Sequence, residues 1–280
     1  MEGVKTITRV SARAYVGLLL VALFWALNWG LSGPRTSYLF FPQWLGYILV
    51  VDALVFRRSG TSIWTRSRRD FFLLFLVSAP AWWLFELFNH HTHNWQYLGG
   101  EQFGGLEYFL LASWSFSTVM PAVFETAELV ASFSWVPRLA NGPRLALTPG
   151  KRTRIWLAGL LMLLLVWRWP QACYPFVWLS VFLILDPINA RLGRRNLLDT
   201  LRAGDWRPLV SLSLGALICG FFWELWNYWS YPKWTYHTPG AQFLHLFEMP
   251  LLGYGGYLPF AWELYALRNL VFPRGPSFRV

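Results

Sequence analysis

The chain has 280 residues, 55% of them hydrophobic and only 14% charged, with mean hydropathy +0.36 and a formal net charge of +10. A soluble domain carries roughly a quarter charged residues, so this composition excludes a water-exposed globule and leaves a membrane protein as the expected class.

Apolar runs at 14–32, 38–56, 71–89, 155–170, 174–189 and 208–230 approach or reach the ~20 residues that a bilayer span needs. Two more segments, 106–132 and 243–267, are interrupted by glutamates yet stay strongly apolar. Together they predict an all-α polytopic membrane protein of eight transmembrane helices. The first run is longer than a signal-peptide core and lacks a small-residue cleavage site, so it reads as a retained helix. Cys173 falls in a predicted outer loop and Cys219 inside a span, and this difference in depth argues against a disulfide.

The basic residues follow the same plan. All but Arg35, Arg168 and Lys233 lie before the first span, on every second loop, or after the last span. Positively charged loops stay cytoplasmic, which predicts an integral protein, of the bacterial inner membrane type, with both termini in the cytoplasm. The charge is therefore a topology signal, aided by anionic headgroups, and no nucleic-acid partner is expected.

The chain also resembles itself. Residues 44–52 (WLGYILVVD) match 178–186 (WLSVFLILD), and 85–89 (FELFN) match 223–227 (WELWN). NWQY at 94–97 matches KWTY at 233–236, and PAVFE at 121–125 matches PFAWE at 259–263. These ordered matches predict two units, 1–140 and 141–280, each of four spans. An even number of spans gives both units the same orientation, related by a pseudo-two-fold axis along the membrane normal.

Acidic residues in the predicted spans are the candidate functional groups, because an ionised carboxylate at mid-bilayer costs at least ~2.5 kcal/mol. Glu86, Glu224, Glu107 and Glu248 map toward the outer ends of their helices, with Glu107 and Glu248 at helix starts. Asn89 and Asn227 sit three residues after Glu86 and Glu224, on the same helical face. Five histidines and the pairs Trp95–Tyr97 and Trp234–Tyr236 map to this end as well. The aromatic pairs serve equally well as interfacial anchors. Asp52, Asp186, Glu125 and Glu263 lie nearer the cytoplasmic side, where bonding across helices or to loop arginines is the plain structural reading. A metal set of Glu86, His90, His93 and Glu107 is chemically feasible. The second copy has Asn227 and Tyr228 where the first has Asn89 and His90, so neither a metal nor another cofactor is expected.

Residues 220–270 carry an acid on a helix, a W-x-Y turn, a glycine, a glutamate beside a proline, and a late acid. This pattern resembles the membrane-embedded lycopene cyclase domain of carotenoid biosynthesis, which also occurs as tandem homologous units; residues 82–130 follow it more loosely. Where that family has Pro-Leu-Glu-Glu, this chain reads Glu248-Met249-Pro250 and Gly105-Leu106-Glu107. The resemblance implies membrane carboxylates that protonate the end of a polyene and later remove a proton. Aromatic residues make up 19% of the chain, and each aromatic face stabilises a cation by about 0.5–2 kcal/mol, which suits such chemistry. The expected activity is acid–base chemistry on an isoprenoid or carotenoid-type lipid. Glu86, Glu224, Glu107 and Glu248 would be the carboxylates, with Asn89 and Asn227 orienting them. Trp95, Tyr97, Trp234, Tyr236, Glu125 and Glu263 would be the substrate-binding residues. Two alternatives stand beside it: a pigment- or lipid-binding subunit associated with other membrane chains, and a proton- or cation-coupled transporter whose acids form a relay.

Overall fold

The computed structural model describes residues 11–31, 33–272 and 279. Twelve α-helices dominate these residues: α1 (Ala12–Gly30), α2 (Phe40–Ser59), α3 (Ile63–Arg66), α4 (Arg68–Thr92), α5 (Gly105–Phe116), α6 (Val119–Ala131), α7 (Pro149–Arg168), α8 (Pro170–Cys173), α9 (Val177–Arg191), α10 (Leu197–Ala203), α11 (Arg207–Asn227) and α12 (Tyr257–Val271). Four short strands join them: β1 (Trp95–Leu98), β2 (Lys233–Tyr236), β3 (His245–Leu246) and β4 (Met249–Pro250). Five helical stretches are long and apolar enough to cross a membrane: Ala12–Gly30, Thr36–Ser59, Arg68–Thr92, Pro170–Arg191 and Arg207–Asn227.

Two of the expected spans are not single helices. Residues 106–132 divide into α5 and α6 around Ser117 and Thr118. The cause is Ser78 of α4, whose hydroxyl donates to Phe116 O at 2.5 Å and accepts from Met120 N at 2.9 Å. These are the two groups that an unbroken helix would pair with each other, and a side chain inserted into that ladder is a recognised cause of a kink. Pro121, which has no N–H to donate, follows directly. In the second case, residues 243–256 form the β3–β4 hairpin and a 3-10 turn (Leu251–Gly256), and helix begins only at Tyr257. Leu244 and Phe247 adopt positive φ there, and Pro250, Gly253, Gly255 and Gly256 are poor helix formers. The expectation that Glu248 opens a helix is therefore corrected: it lies in the turn between β3 and β4.

The packing explains why small residues sit where they do. α1 lies against α2 through Gly17 and Gly46; a Cβ on Gly17 would stand 2.6 Å from Gly46 O, and one on Gly46 would stand 2.8 Å from Gly17 O. The outward face of α1 (Tyr15, Leu18 and Leu19) stays exposed, as does that of α7 (Leu157, Leu161 and Leu164). α2, α4, α6, α9, α11 and α12 enclose the core, where Trp44, Phe85, Phe124, Leu212 and Phe260 are fully buried. α6 of the first half packs on α11 of the second, and α4 packs on α12.

The arginine-bearing loops meet at one end of this bundle. Arg58 bonds Ser132, Arg66 pairs with Glu128, Gly142 N donates to Gly204 O, and Arg194 donates to Leu270 O. Buried acids near this end are held by local partners. Asp52 pairs with Arg13 and accepts from Trp64 N at the start of α3 (3.1 Å). Asp186 accepts from Leu197 N and Leu198 N, at 2.9 and 3.0 Å, at the start of α10. A carboxylate at a helix N-terminus satisfies free N–H groups and opposes the helix dipole.

Candidate functional site

At the other end, β1 and β2 pair into an antiparallel ribbon. Trp95 stands opposite Tyr236, Gln96 opposite Thr235, and Tyr97 opposite Trp234. Alternation along a strand turns Trp95 and Tyr97 to one face and Gln96 to the other. Gln96 is exposed and Trp95 is buried.

Each strand is fastened to the helix before it by one asparagine. Asn89 donates from Nδ2 to Trp95 O (2.8 Å) and accepts Trp95 N on Oδ1 (3.0 Å). Asn227 does the same for Trp234, at 2.7 and 2.9 Å. An amide side chain has both a donor and an acceptor, so it can replace the ladder partner that a strand residue lacks.

One helical turn earlier, a glutamate collects the strand's side chains. Glu86 Oε1 accepts from Tyr97 Oη (2.6 Å), Trp82 Nε1 (2.8 Å) and Trp95 Nε1 (3.1 Å). Glu224 Oε1 accepts from Tyr236 Oη (2.6 Å), Tyr257 Oη (2.9 Å) and Trp234 Nε1 (3.4 Å). Glu224 Oε2 is buried without a partner among the described residues. With Oε1 occupied by three donors, a proton taken up by Glu224 goes to Oε2. Burial, and next the neighbouring glutamate, pushes the hydroxyls of Tyr97 and Tyr236 well above the usual tyrosine range.

Under the ribbon lies a cavity of about 620 Å³. Its walls come from both halves and include Trp82, Trp95, Tyr97, Trp178, Trp223 and Tyr257. The rings interlock: Trp95 and Trp178 have centroids 5.7 Å apart, and Trp223 stacks on Tyr257 at 5.9 Å. Glu86 and Glu224 are not themselves among the lining residues. They stand behind the wall and reach it through the aromatic donors they hold.

The other expected site residues are placed as follows. Trp234, Tyr236 and Asn227 line the cavity. Glu107 is exposed on α5, with Tyr38 Oη 3.5 Å away. Glu248 is ion-paired with Lys233. Glu263 is fully buried and accepts from Val181 N of α9 (3.1 Å). Glu125 is fully buried, and both its oxygens lack a hydrogen-bond partner among the described residues. His91 stacks on Trp167, and the rings of His90 and His93 are 6.4 Å apart. No group of three or more His, Cys, Asp or Glu side chains among the described residues is placed to hold a metal ion.

Trp82, Trp178, Trp223, Tyr257 and Asn28 belong to the cavity without having been singled out by the sequence. Trp178 and Trp223 do open two of the repeated segments, WLSVFLILD and WELWN. No family model, curated protein or solved structure matches the chain.

Proposed function

We propose that the protein is an eight-span membrane protein made of two parallel four-span units, binding an isoprenoid-type lipid between them and acting on it by carboxylate acid–base chemistry. The observation that carries this reading is the cavity itself. It is walled by aromatic rings, bridges the two halves, and has a glutamate behind each half of its wall, joined to it by a 2.6 Å tyrosine–glutamate hydrogen bond. A tyrosine between a buried carboxyl group and the cavity is a short route for a proton in either direction, and the rings suit a substrate that gains positive charge.

The tandem arrangement is supported by equivalent details in the two sequence halves. Asn89 and Asn227, Glu86 and Glu224, and Asp52 and Asp186 make matching bonds. Gln96 and Thr235, which correspond in the repeat, face each other, as the residues nearest a two-fold axis do. Gly17 meets the backbone at Gly46, and Gly159 meets it at Ser180 O, 3.0 Å from its ideal Cβ.

Organic extraction of the purified protein, followed by mass spectrometry, is expected to give one isoprenoid-type lipid in stoichiometric amount. The double variant Glu86→Gln/Glu224→Gln is expected to retain the lipid and lose its conversion. Bulk phospholipid alone would overturn the reading.

One observation favours a second reading, a lipid- or pigment-binding subunit without turnover. Both glutamates stand behind the wall rather than on it, with three donors converging on one oxygen of each. A bound lipid that is unchanged over time, in wild type and variant alike, would select this reading.

A further inference from the structure

Resting on the lipid-binding reading, we infer that the ligand ends in a neutral oxygen, a hydroxyl or carbonyl group, and that Asn28 is the residue that recognises it. Asn28 lies in the last turn of α1, at the ribbon end of the bundle, and lines the cavity. It is only 5% exposed, and its side-chain amide makes no hydrogen bond with any described group. A buried amide with no protein partner is left for water or a ligand in the cavity to satisfy. An apolar residue at this position on the inner face of the helix would need no such partner.

The helical turn that carries the amide is held in place. The adjacent Trp29 donates from Nε1 to Trp226 O (3.2 Å), tying this turn of α1 to α11 of the other half. Ser37 and Trp226, also lining residues, each keep a buried polar atom, Oγ and Nε1, without a partner among the described residues. The cavity wall therefore includes several neutral polar residues whose hydrogen-bonding capacity no described protein group uses.

The charge of the walls narrows the ligand further. Lys233 is the one charged residue among the described lining residues; it is paired with Glu248, and its ammonium also donates to Tyr228 O at 3.2 Å. A phosphate or carboxylate end group would have no uncommitted cation there. An amide, which both donates and accepts, matches a hydroxyl or a carbonyl. The recognised molecule is thus an isoprenoid-type alcohol, aldehyde or ketone rather than a pure hydrocarbon or a prenyl phosphate.

Binding of three probes of equal chain length to the full-length protein in detergent, followed by tryptophan fluorescence, tests this. The probes are farnesol, β-farnesene and farnesyl phosphate. One net hydrogen bond corresponds to roughly a three- to tenfold gain in affinity, so farnesol is expected to bind about that much more tightly than β-farnesene. Asn28→Leu is expected to abolish the preference while leaving β-farnesene binding intact, and intact hydrocarbon binding also certifies the fold. Asn28→Ala is read in the same way should the leucine variant not fold. Equal binding of farnesol and β-farnesene to the wild type, or a preference that survives both variants, would overturn the role of Asn28 and leave an apolar lipid site standing. Tighter binding of farnesyl phosphate would replace the neutral end group with an anionic one and so overturn the inference. Binding of none of the three would overturn the lipid-binding reading on which the inference rests.

Discussion

Gln96 and Thr235 face each other at the centre of the ribbon, with the glutamine amide 3.3 Å from the threonine hydroxyl. They come from opposite halves of the chain, so a covalent link between them would join the two halves over the cavity. Directly opposed strand residues have Cα atoms about 4.5–5.5 Å apart, within the range a disulfide spans. Gln96→Cys/Thr235→Cys is expected to oxidise readily, read as loss of maleimide labelling that reductant restores. Persistent labelling of both cysteines under oxidant would contradict the pairing.

Replacement of either clasp asparagine tests how the roof is held. Asn89→Ala or Asn227→Ala removes both hydrogen bonds to the backbone of a buried (Trp95) or half-buried (Trp234) tryptophan, and is expected to cost roughly 1–3 kcal/mol. Amide exchange at residues 95–97 or 234–236 should rise with it. Asn89→Asp keeps the acceptor for Trp95 N and loses the donor to Trp95 O, so its effect is expected to be intermediate.

These asparagines show how much of the site was legible. FELFN and WELWN advertised the glutamate–asparagine spacing, and the period of a helix placed both on one face. The strands they hold were visible only as the words NWQY and KWTY, since four residues are too few to carry a strand pattern. That the two strands pair with each other could not be read, because their partnership spans half the chain. Glu248 reads as a helix start in the sequence for a related reason. Residues 243–267 have the composition of a span, while the prolines, glycines and positive-φ positions that break it act locally. The split between α5 and α6 depends on Ser78, a residue from a different helix that no local pattern could flag. The cavity's remaining aromatic residues are ordinary apolar positions in one dimension and become a wall only through packing.

Alkaline titration tests how tightly the ribbon tyrosines hold their protons. A tyrosine is neutral when protonated, and Tyr97 and Tyr236 hold their protons more tightly in the fold than the unfolded value of about 10. Their contribution is therefore fully present below about pH 10 and is lost as pH rises from there toward the folded value. Tyrosinate absorbance at high pH is expected to differ between the wild type and Tyr97→Phe/Tyr236→Phe. The rise that accompanies loosening of the ribbon should shrink in that variant.

Gly46→Leu should be among the most damaging changes in the apolar core. A Cβ at this position would lie 2.8 Å from Gly17 O and 2.8 Å from Leu20 Cβ, so α1 has to move outward. Overpacking of this kind costs about 1–3 kcal/mol. The expected reading is a lower melting temperature in detergent and easier proteolysis after α1. Unchanged stability would mean that α1 is not seated against α2.

Removal of Arg13 is expected to destabilise more than removal of a surface arginine. Its partner Asp52 is fully buried, and stranding a buried charge costs roughly 3–5 kcal/mol. Arg13→Ala/Asp52→Asn should recover much of that loss in a thermal melt, because the stranded charge is then gone.

The ribbon also sets the order of biosynthesis. Among the described residues β1 has no strand partner in its own half; its mate is translated about 140 residues later. At roughly 5–20 residues per second, the nascent first half waits about 7–28 seconds in the membrane with the edge of β1 and the Trp95 face uncovered. The wall that Trp234, Tyr236 and Tyr257 give the cavity is thus in place only when synthesis is nearly complete, so whatever occupies that space during the wait must be displaced or retained as the second half docks.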